Sequence, residues 1–399
     1  MRTLIFERNL ARFAASRVAS SLAGSGRAAR VSPLRLTDSE PPPLPGPGWY
    51  RVRPLLAGIC GSDLATVDGR SSRYFEDLVS FPFVPGHEVV GELEEPAGAR
   101  VVVQAVIGCV ARGIEPPCEA CAEGRVGGCE RVAFGHLSPG IQIGYCSDTG
   151  GGWSAAGLVA HESQLHAVAD DMGDEEAVMI EPTACAVHAA LASKVEPGDT
   201  VAVLGAGTLG LTTLAALRSL TEPGSLFAGA KHEHQRRWAR ELGADAVLPP
   251  DQLGRAVRRR SRSLTVSERS RQLTGGADVV VDCVGSTESL AEALAMVRPR
   301  GRVVLVGMPG KSKVDLASLW HREVVLTAAY AYGVEQVAGR SVSSFELAAG
   351  VVSEYRLGRL VSALYPLERF EEALEHAGAA GSRGAVKIAF DLRRKGSAR

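Results

Sequence analysis

Aromatic side chains are scarce, 5% of 399 residues, so any core must be built mostly from Ala, Val and Leu. No apolar run approaches the roughly 20 residues of a membrane-crossing helix, and no span is expected. Neither sign of charge dominates, with 44 basic and 45 acidic residues and a formal net charge of -1. That balance removes the electrostatic reason to expect nucleic acid or an anionic membrane as partner. Residues 1–30 lack the apolar segment of a secretory signal, so a cytoplasmic location is the default expectation. They carry Arg2, Arg8, Arg12, Arg17, Arg27 and Arg30 against the single acid Glu7, a composition shared with transit peptides. The simpler reading is a first strand at 1–7, then a small-residue loop or insertion over 11–34.

What is present points to two domains. Pro-rich 41–48 leads into Trp49-Tyr-Arg-Val-Arg, and residues 50–170 read as short β-like runs punctuated by Gly and Pro. From about 174 the character changes. Apolar runs at 199–205, 225–228, 278–284 and 301–307 alternate with helical spacing over 175–193, 209–220, 235–242 and 289–297. Strands alternating with helices predict an α/β, doubly wound parallel sheet over 191–329. A β-rich domain would comprise 1–190 and, after the chain returns, 330–399, with a late strand near Ala385-Val-Lys-Ile-Ala-Phe390. Three of the eight cysteines fall within Cys118–Cys129, a cluster more typical of metal binding than of disulfides.

Gly205-Ala-Gly207-Thr208-Leu209-Gly210 follows a buried strand and opens a helix. Glycines here allow a tight turn and close approach of a pyrophosphate, which the helix N-terminus attracts. An acid that would hold the ribose of NAD is expected about 20 residues on. Counting from Gly210 gives Ala230, followed by Lys231, His232, Glu233, His234, Arg236 and Arg237. Lys231 or Arg236 could pair with a 2′-phosphate, so NADP(H) is favoured over NAD. The alternatives are a solvated helix face, and a shifted ribose contact from Glu233.

Gly58-Ile-Cys60-Gly-Ser62-Asp63 places a thiol on a turn, and Gly86-His87-Glu88-Val-Val-Gly91 places an imidazole beside a carboxylate. Thiolate and imidazole are common zinc ligands, and a catalytic zinc takes about three protein ligands with one position open. Glu181, in Met179-Ile-Glu-Pro182, is the candidate third ligand, and Glu88 the alternative. Taken in order, these motifs and the glycine-rich turn resemble the medium-chain zinc-dependent alcohol dehydrogenase family, in its sorbitol, threonine and glucose dehydrogenase branch. The resemblance spans roughly 45–390. It implies a discontinuous GroES-like catalytic domain joined to a Rossmann domain, a catalytic zinc at Cys60, His87 and Glu181, and a homodimer or homotetramer.

The family also carries a structural zinc on four cysteines. Cys118, Cys121 and Cys129 match the last three, but Glu115 stands where the first is usual. Cys109, further upstream, is the favoured fourth ligand, because structural sites are mostly closed sulfur or sulfur-nitrogen shells, and Glu115 itself is the alternative. The chemistry implied is hydride transfer between an alcohol, or its aldehyde or ketone, and the nicotinamide, with zinc lowering the alcohol's pKa. Ser62 sits where the family places a relay hydroxyl. Ala65 replaces the relay histidine of many relatives, so the relay would be shorter. Asp63 is expected to orient the ligands, and Trp153 either to wall the pocket or simply to pack. The competing functions are a zinc-independent NADPH quinone or enoyl reductase and a non-catalytic NADPH-binding protein of the same fold.

Overall fold

Strand Trp49–Gly58 organises the first sheet, pairing antiparallel with Val89–Leu93, Leu158–His161 and Lys387–Asp391. Arg100–Val103 and Leu165–Ala167 extend the sheet on one side, and Val361–Tyr365 extends it on the other, parallel to Lys387–Asp391. Pro54 has no N–H to give the ladder, and the register with Val89–Leu93 shifts between Pro54 and Leu56. The computed structural model behind this description covers residues 1–266 and 271–393. Two units emerge, Met1–Glu181 with Arg356–Arg399, and Pro182–Tyr355.

At the N-terminus, Arg2–Phe6 pairs antiparallel with Leu34–Asp38. Between them lies a helix, Leu10–Ala23, where composition suggested a loop or insertion. Asn9 caps it by accepting from the Arg12 N–H at 3.0 Å, and its alanines favour the helical state. Its fully buried residues are Ser16 and Ser20, so no apolar stripe announces it in the sequence. Beneath it, Leu4, Phe6, Leu34, Phe83, Ile388 and Phe390 form a core with Trp153 at its centre. Trp153 is fully buried, donates from Nε1 to the Gly58 carbonyl at 3.2 Å and meets Phe390 edge-on, so its role is packing.

The second unit holds a six-stranded sheet in the order Ala246–Leu248, Ser225–Gly229, Thr200–Leu204, Ala277–Asp282, Val297–Leu305, Val325–Ala328. Every pair is parallel. The central strands are apolar throughout because helices cover both faces of such a sheet. The strand order reverses between Thr200–Leu204 and Ala277–Asp282, the position where doubly wound sheets bind ligands. Helix Ser344–Tyr355 packs on Thr208–Leu220. Ahead of it, the hairpin Val334–Val337 and Arg340–Ser343 is anchored by Glu335, which accepts from His188 Nδ1 and from the Ser344 hydroxyl, each at 2.8 Å. The two compact units divide at 181/182 and 355/356, and composition suggested 190/191 and 329/330. No helix among the described residues is long and apolar enough to cross a membrane.

Candidate functional site

Strand pairing brings the first constellation together. Ala57 lies opposite Val89, so the residues just past one strand end, Cys60, and just before the other, His87 and Glu88, are neighbours. The Gly58 N–H donates to the Glu88 carbonyl at 2.8 Å and locks that register. Gly86 has φ +95°, and a Cβ there would lie 2.4 Å from Trp153, so only glycine turns the chain into His87. Cys60 caps helix Gly61–Val67, with its own N–H held by Asp63 Oδ2 at 3.0 Å.

The Cys60 sulfur, a His87 ring nitrogen and a Glu88 carboxylate oxygen lie within 4.8 Å of one another, with His87 and Glu88 buried. Asp63 Oδ1 stands 3.4 Å from His87 Nδ1, which has no hydrogen-bond partner among the described residues. Burial works against a charged His87. The Asp63 carboxylate and the Cys60 sulfur outweigh it and hold the imidazole pKa well above its ordinary value. A thiol, an imidazole and a carboxylate crowded into a buried pocket that favours positive charge are donors suited to zinc.

Glu181 is buried at the start of helix Ile180–Ala192 but lies outside that group of three. Ser62 is part-buried in the helix Cys60 caps, its carbonyl accepting from the Thr66 hydroxyl at 3.0 Å, and Ala65 is buried.

Two residues here were not picked out by the sequence reading. Lys387 is fully buried, its ammonium paired with the Glu88 carboxylate and donating to the Ile59 carbonyl at 3.3 Å. Burial lowers its pKa, but Glu88, Cys60 and Glu181 raise it above the ordinary value. The available signal was one charge in the otherwise apolar run Ala385–Phe390. Tyr145, buried, places its hydroxyl 3.4 Å from Asp63 Oδ1 and 3.3 Å from the Thr66 hydroxyl. No local pattern points to it.

The second constellation comprises Cys109, Cys118, Cys121 and Cys129, whose sulfurs also lie within 4.8 Å of one another. The Cys109 and Cys129 sulfurs are 3.7 Å apart. A tetrahedral zinc with Zn–S bonds of about 2.3 Å sets its sulfurs about 3.8 Å apart. Backbone N–H groups of Cys109, Cys118 and Arg131 point at the sulfurs of Cys121, Cys109 and Cys129, at 3.5, 3.4 and 3.4 Å. Burial raises the Cys118 thiol pKa, but backbone N–H groups of Glu130 and Cys121 and the adjoining sulfurs bring it down to about 7. This donor set fits a closed metal site. Glu115 is exposed and outside the group.

The glycine-rich turn lies at the switch point. Gly205 has φ +90°, and a Cβ on Gly210 would sit 1.9 Å from the Gly205 carbonyl oxygen. Gly207 caps helix Thr208–Leu220, with open space where its Cβ would be. Thr208 and Leu209 form the first turn, whose N–H groups and dipole end favour an anion. At the neighbouring strand end Ala230 is buried and Lys231 exposed. Arg236 is already engaged: it donates to the Ala230 and Lys231 carbonyls at 3.2 and 3.0 Å and to Glu233 at 2.7 Å. The exposed ammonium of Lys231 is the cation of this pair left facing solvent.

Residues 46–170 match the alcohol dehydrogenase GroES-like domain, and residues 208–344 match the zinc-binding dehydrogenase domain. The chain is 28% identical over 340 residues to sorbitol dehydrogenase of Bacillus subtilis (82% of this chain, 85% of that one). It is 30% identical over 300 residues to sorbitol dehydrogenase of Arabidopsis thaliana (73% and 76%). Among solved structures, the alcohol dehydrogenase of Thermus sp. ATN1 superposes with a TM-score of 0.70 at 25% identity, covering 98% of this chain and all of that one (100%).

Proposed function

Because the chain belongs to the zinc-dependent medium-chain alcohol dehydrogenase family, oxidoreductases that move hydride between an alcohol and a nicotinamide dinucleotide, we propose that it oxidises a polyol reversibly at a zinc site built on Cys60 and His87. The observation that carries this is the part-buried Cys60 thiol with the buried His87 imidazole and Glu88 carboxylate, all within 4.8 Å. The polyol class is supported by the two sorbitol dehydrogenases among its relatives. When bound, zinc acts as a Lewis acid that lowers the pKa of the substrate hydroxyl. The dinucleotide supplies the hydride acceptor or donor.

The chain's own residues do the rest. Cys60 and His87 would hold the metal, with the Asp63 carboxylate, 3.4 Å from His87 Nδ1, orienting the ring electrostatically. The third ligand would be the carboxylate of Glu181, with Glu88, restrained by Lys387, as the exchangeable one. Ser62 carries the proton away from the substrate. Cys109, Cys118, Cys121 and Cys129 hold a second, structural zinc. Gly205, Gly207, Thr208, Leu209 and Gly210 receive the pyrophosphate, and Lys231 favours NADP(H), with Arg236 shaping its loop.

A homodimer or homotetramer is further proposed. Edge strand Val325–Ala328 supports it: among the described residues its outer side is unpaired, and Val325 is 48% exposed. None of the eight cysteines is joined in a disulfide, which suits a reducing, cytoplasmic setting.

Metal analysis with Cys60→Ala tests the reading. The wild type is expected to hold two zincs per chain. The variant is expected to hold one, to bind dinucleotide as before, and to lose turnover. Alcohol oxidation surviving in the variant would overturn the zinc mechanism.

A further inference from the structure

Arg112 lies three residues after Cys109, its side chain fully buried. Among the described residues it forms no ion pair with a carboxylate. Its Nη1 donates to the carbonyls of Phe134, Leu137 and Ser138 at 3.0, 3.4 and 3.3 Å, and its Nη2 to that of Gly140 at 2.6 Å. Its Nε has no hydrogen-bond partner there. A buried cation with only carbonyl partners is costly unless negative charge lies close by. Burial pulls its pKa down, and the Cys146, Cys129, Asp148 and Cys109 side chains push it back up.

The Arg112 N–H donates to the Cys109 carbonyl at 3.1 Å, so its backbone is fixed to the cysteine cluster while its side chain reaches 134–140. We infer that Arg112 is a positioning residue whose four carbonyl contacts link the tetracysteine centre to segment 134–146. The inference rests on the structural-zinc reading proposed above.

The link is continuous. The Arg112 carbonyl accepts from the His136 N–H at 3.3 Å. Gly135 (φ +93°) comes so close that a Cβ would lie 2.5 Å from that carbonyl oxygen. Ser138 is gripped from the other side by Asp148, through its N–H at 2.6 Å and its hydroxyl at 3.1 Å. The chain then runs along the sheet, with Ile107 N–H donating to Ile141 at 3.3 Å and Ile143 N–H to Ala105 at 2.8 Å. It arrives at Tyr145, whose hydroxyl faces Asp63. With the metal gone, the Cys109 turn that carries Arg112 loses its anchor, and the clamp on 134–140 loosens.

The test uses purified full-length protein and a chromogenic chelator. In wild type, one zinc per chain is expected to leave slowly, and Cys118→Ser identifies it as the tetracysteine metal. Arg112→Met is expected to speed that release by roughly tenfold or more, the scale of outer-shell changes at metal sites. Arg112→Lys, which keeps the charge but not the fork, should recover part of it. Hydrogen exchange on wild type needs no variant: stripping that zinc should speed exchange across 134–146. Unchanged release from Arg112→Met, or unchanged exchange on stripping, overturns the inference. A wild type without that zinc overturns the structural-zinc reading itself.

Discussion

Lys387, from the last described strand, closes a buried ion pair with Glu88, which lies next to His87 and is 299 residues earlier in sequence (387 minus 88). Gly58 makes room for it: a Cβ there would lie 2.0 Å from Glu88 Oε2 and 2.8 Å from Lys387 Cε. Removing one partner leaves the other charged in a dry site. Lys387→Met is expected to lower stability by about 3–5 kcal/mol, and less when zinc is bound, since the metal offers Glu88 another cation. Adding Glu88→Leu to that variant should recover most of the loss. Guanidinium unfolding of the metal-free protein measures both, and an unchanged midpoint in Lys387→Met would disprove the burial argument.

Two glycines of the nucleotide turn should respond in opposite ways. Gly207 has φ -80° and open space around its Cβ position. Gly207→Ala should fold with unchanged melting temperature yet bind dinucleotide at least roughly tenfold more weakly, because the new methyl stands where the phosphate approaches. Gly210→Ala drives its methyl into the Gly205 carbonyl and should cost about 1–3 kcal/mol of stability or more. Calorimetry on the free proteins, with fluorescence titration of reduced cofactor, separates the two effects.

Cofactor choice should follow Lys231. Turnover with NADP is expected to exceed turnover with NAD, and Lys231→Ala to erase roughly tenfold of that ratio, the order of one charge-assisted contact. A wild type that clearly prefers NAD would refute this. Arg236→Ala should weaken both cofactors alike, since Arg236 holds the Ala230 and Lys231 carbonyls.

His166 should give a pH signature. Burial on strand Leu165–Ala167 holds its imidazole pKa down to about 4, with Gln104 Oε1 as its 3.3 Å neighbour. Above about pH 7 it is neutral folded or unfolded and contributes nothing. As the pH falls from about 6.5, the unfolded chain takes up a proton that the folded chain refuses until about 4, so stability drops across that window. His166→Gln should flatten the drop by on the order of 1–2 kcal/mol, read from denaturation midpoints at pH 7 and pH 5.

Much of this structure can be read from one dimension because its signals are local. The run Thr200–Leu204, the turn Gly205–Gly210 and the helix after it are contiguous, and the run is apolar because both faces of its sheet are covered. Cys118, Cys121 and Cys129 are close enough along the chain for spacing alone to suggest a cluster, whereas Cys109 was favoured only as the fourth ligand the family resemblance calls for. Features that depend on distant partners left weaker traces. Helix Pro250–Arg260 fully buries only Leu253 and Val257 among its arginines, too thin a stripe to stand out. Tyr145 and Arg112 look like ordinary residues until the fold sets them beside Asp63 and the cysteines. Lys387 was visible as an oddity, a charge within an apolar strand, but its meaning lay in Glu88.

That long-range closure has a consequence during synthesis. The parallel-sheet unit, Pro182–Tyr355, is synthesised before Lys387. Units fold as they emerge, so this one can complete its sheet while the other still lacks strand Lys387–Asp391 and the cation that neutralises Glu88. Through that interval Cys60, His87 and Glu88 lack the cation that closes their pocket, and the site is complete only once strand Lys387–Asp391 has paired.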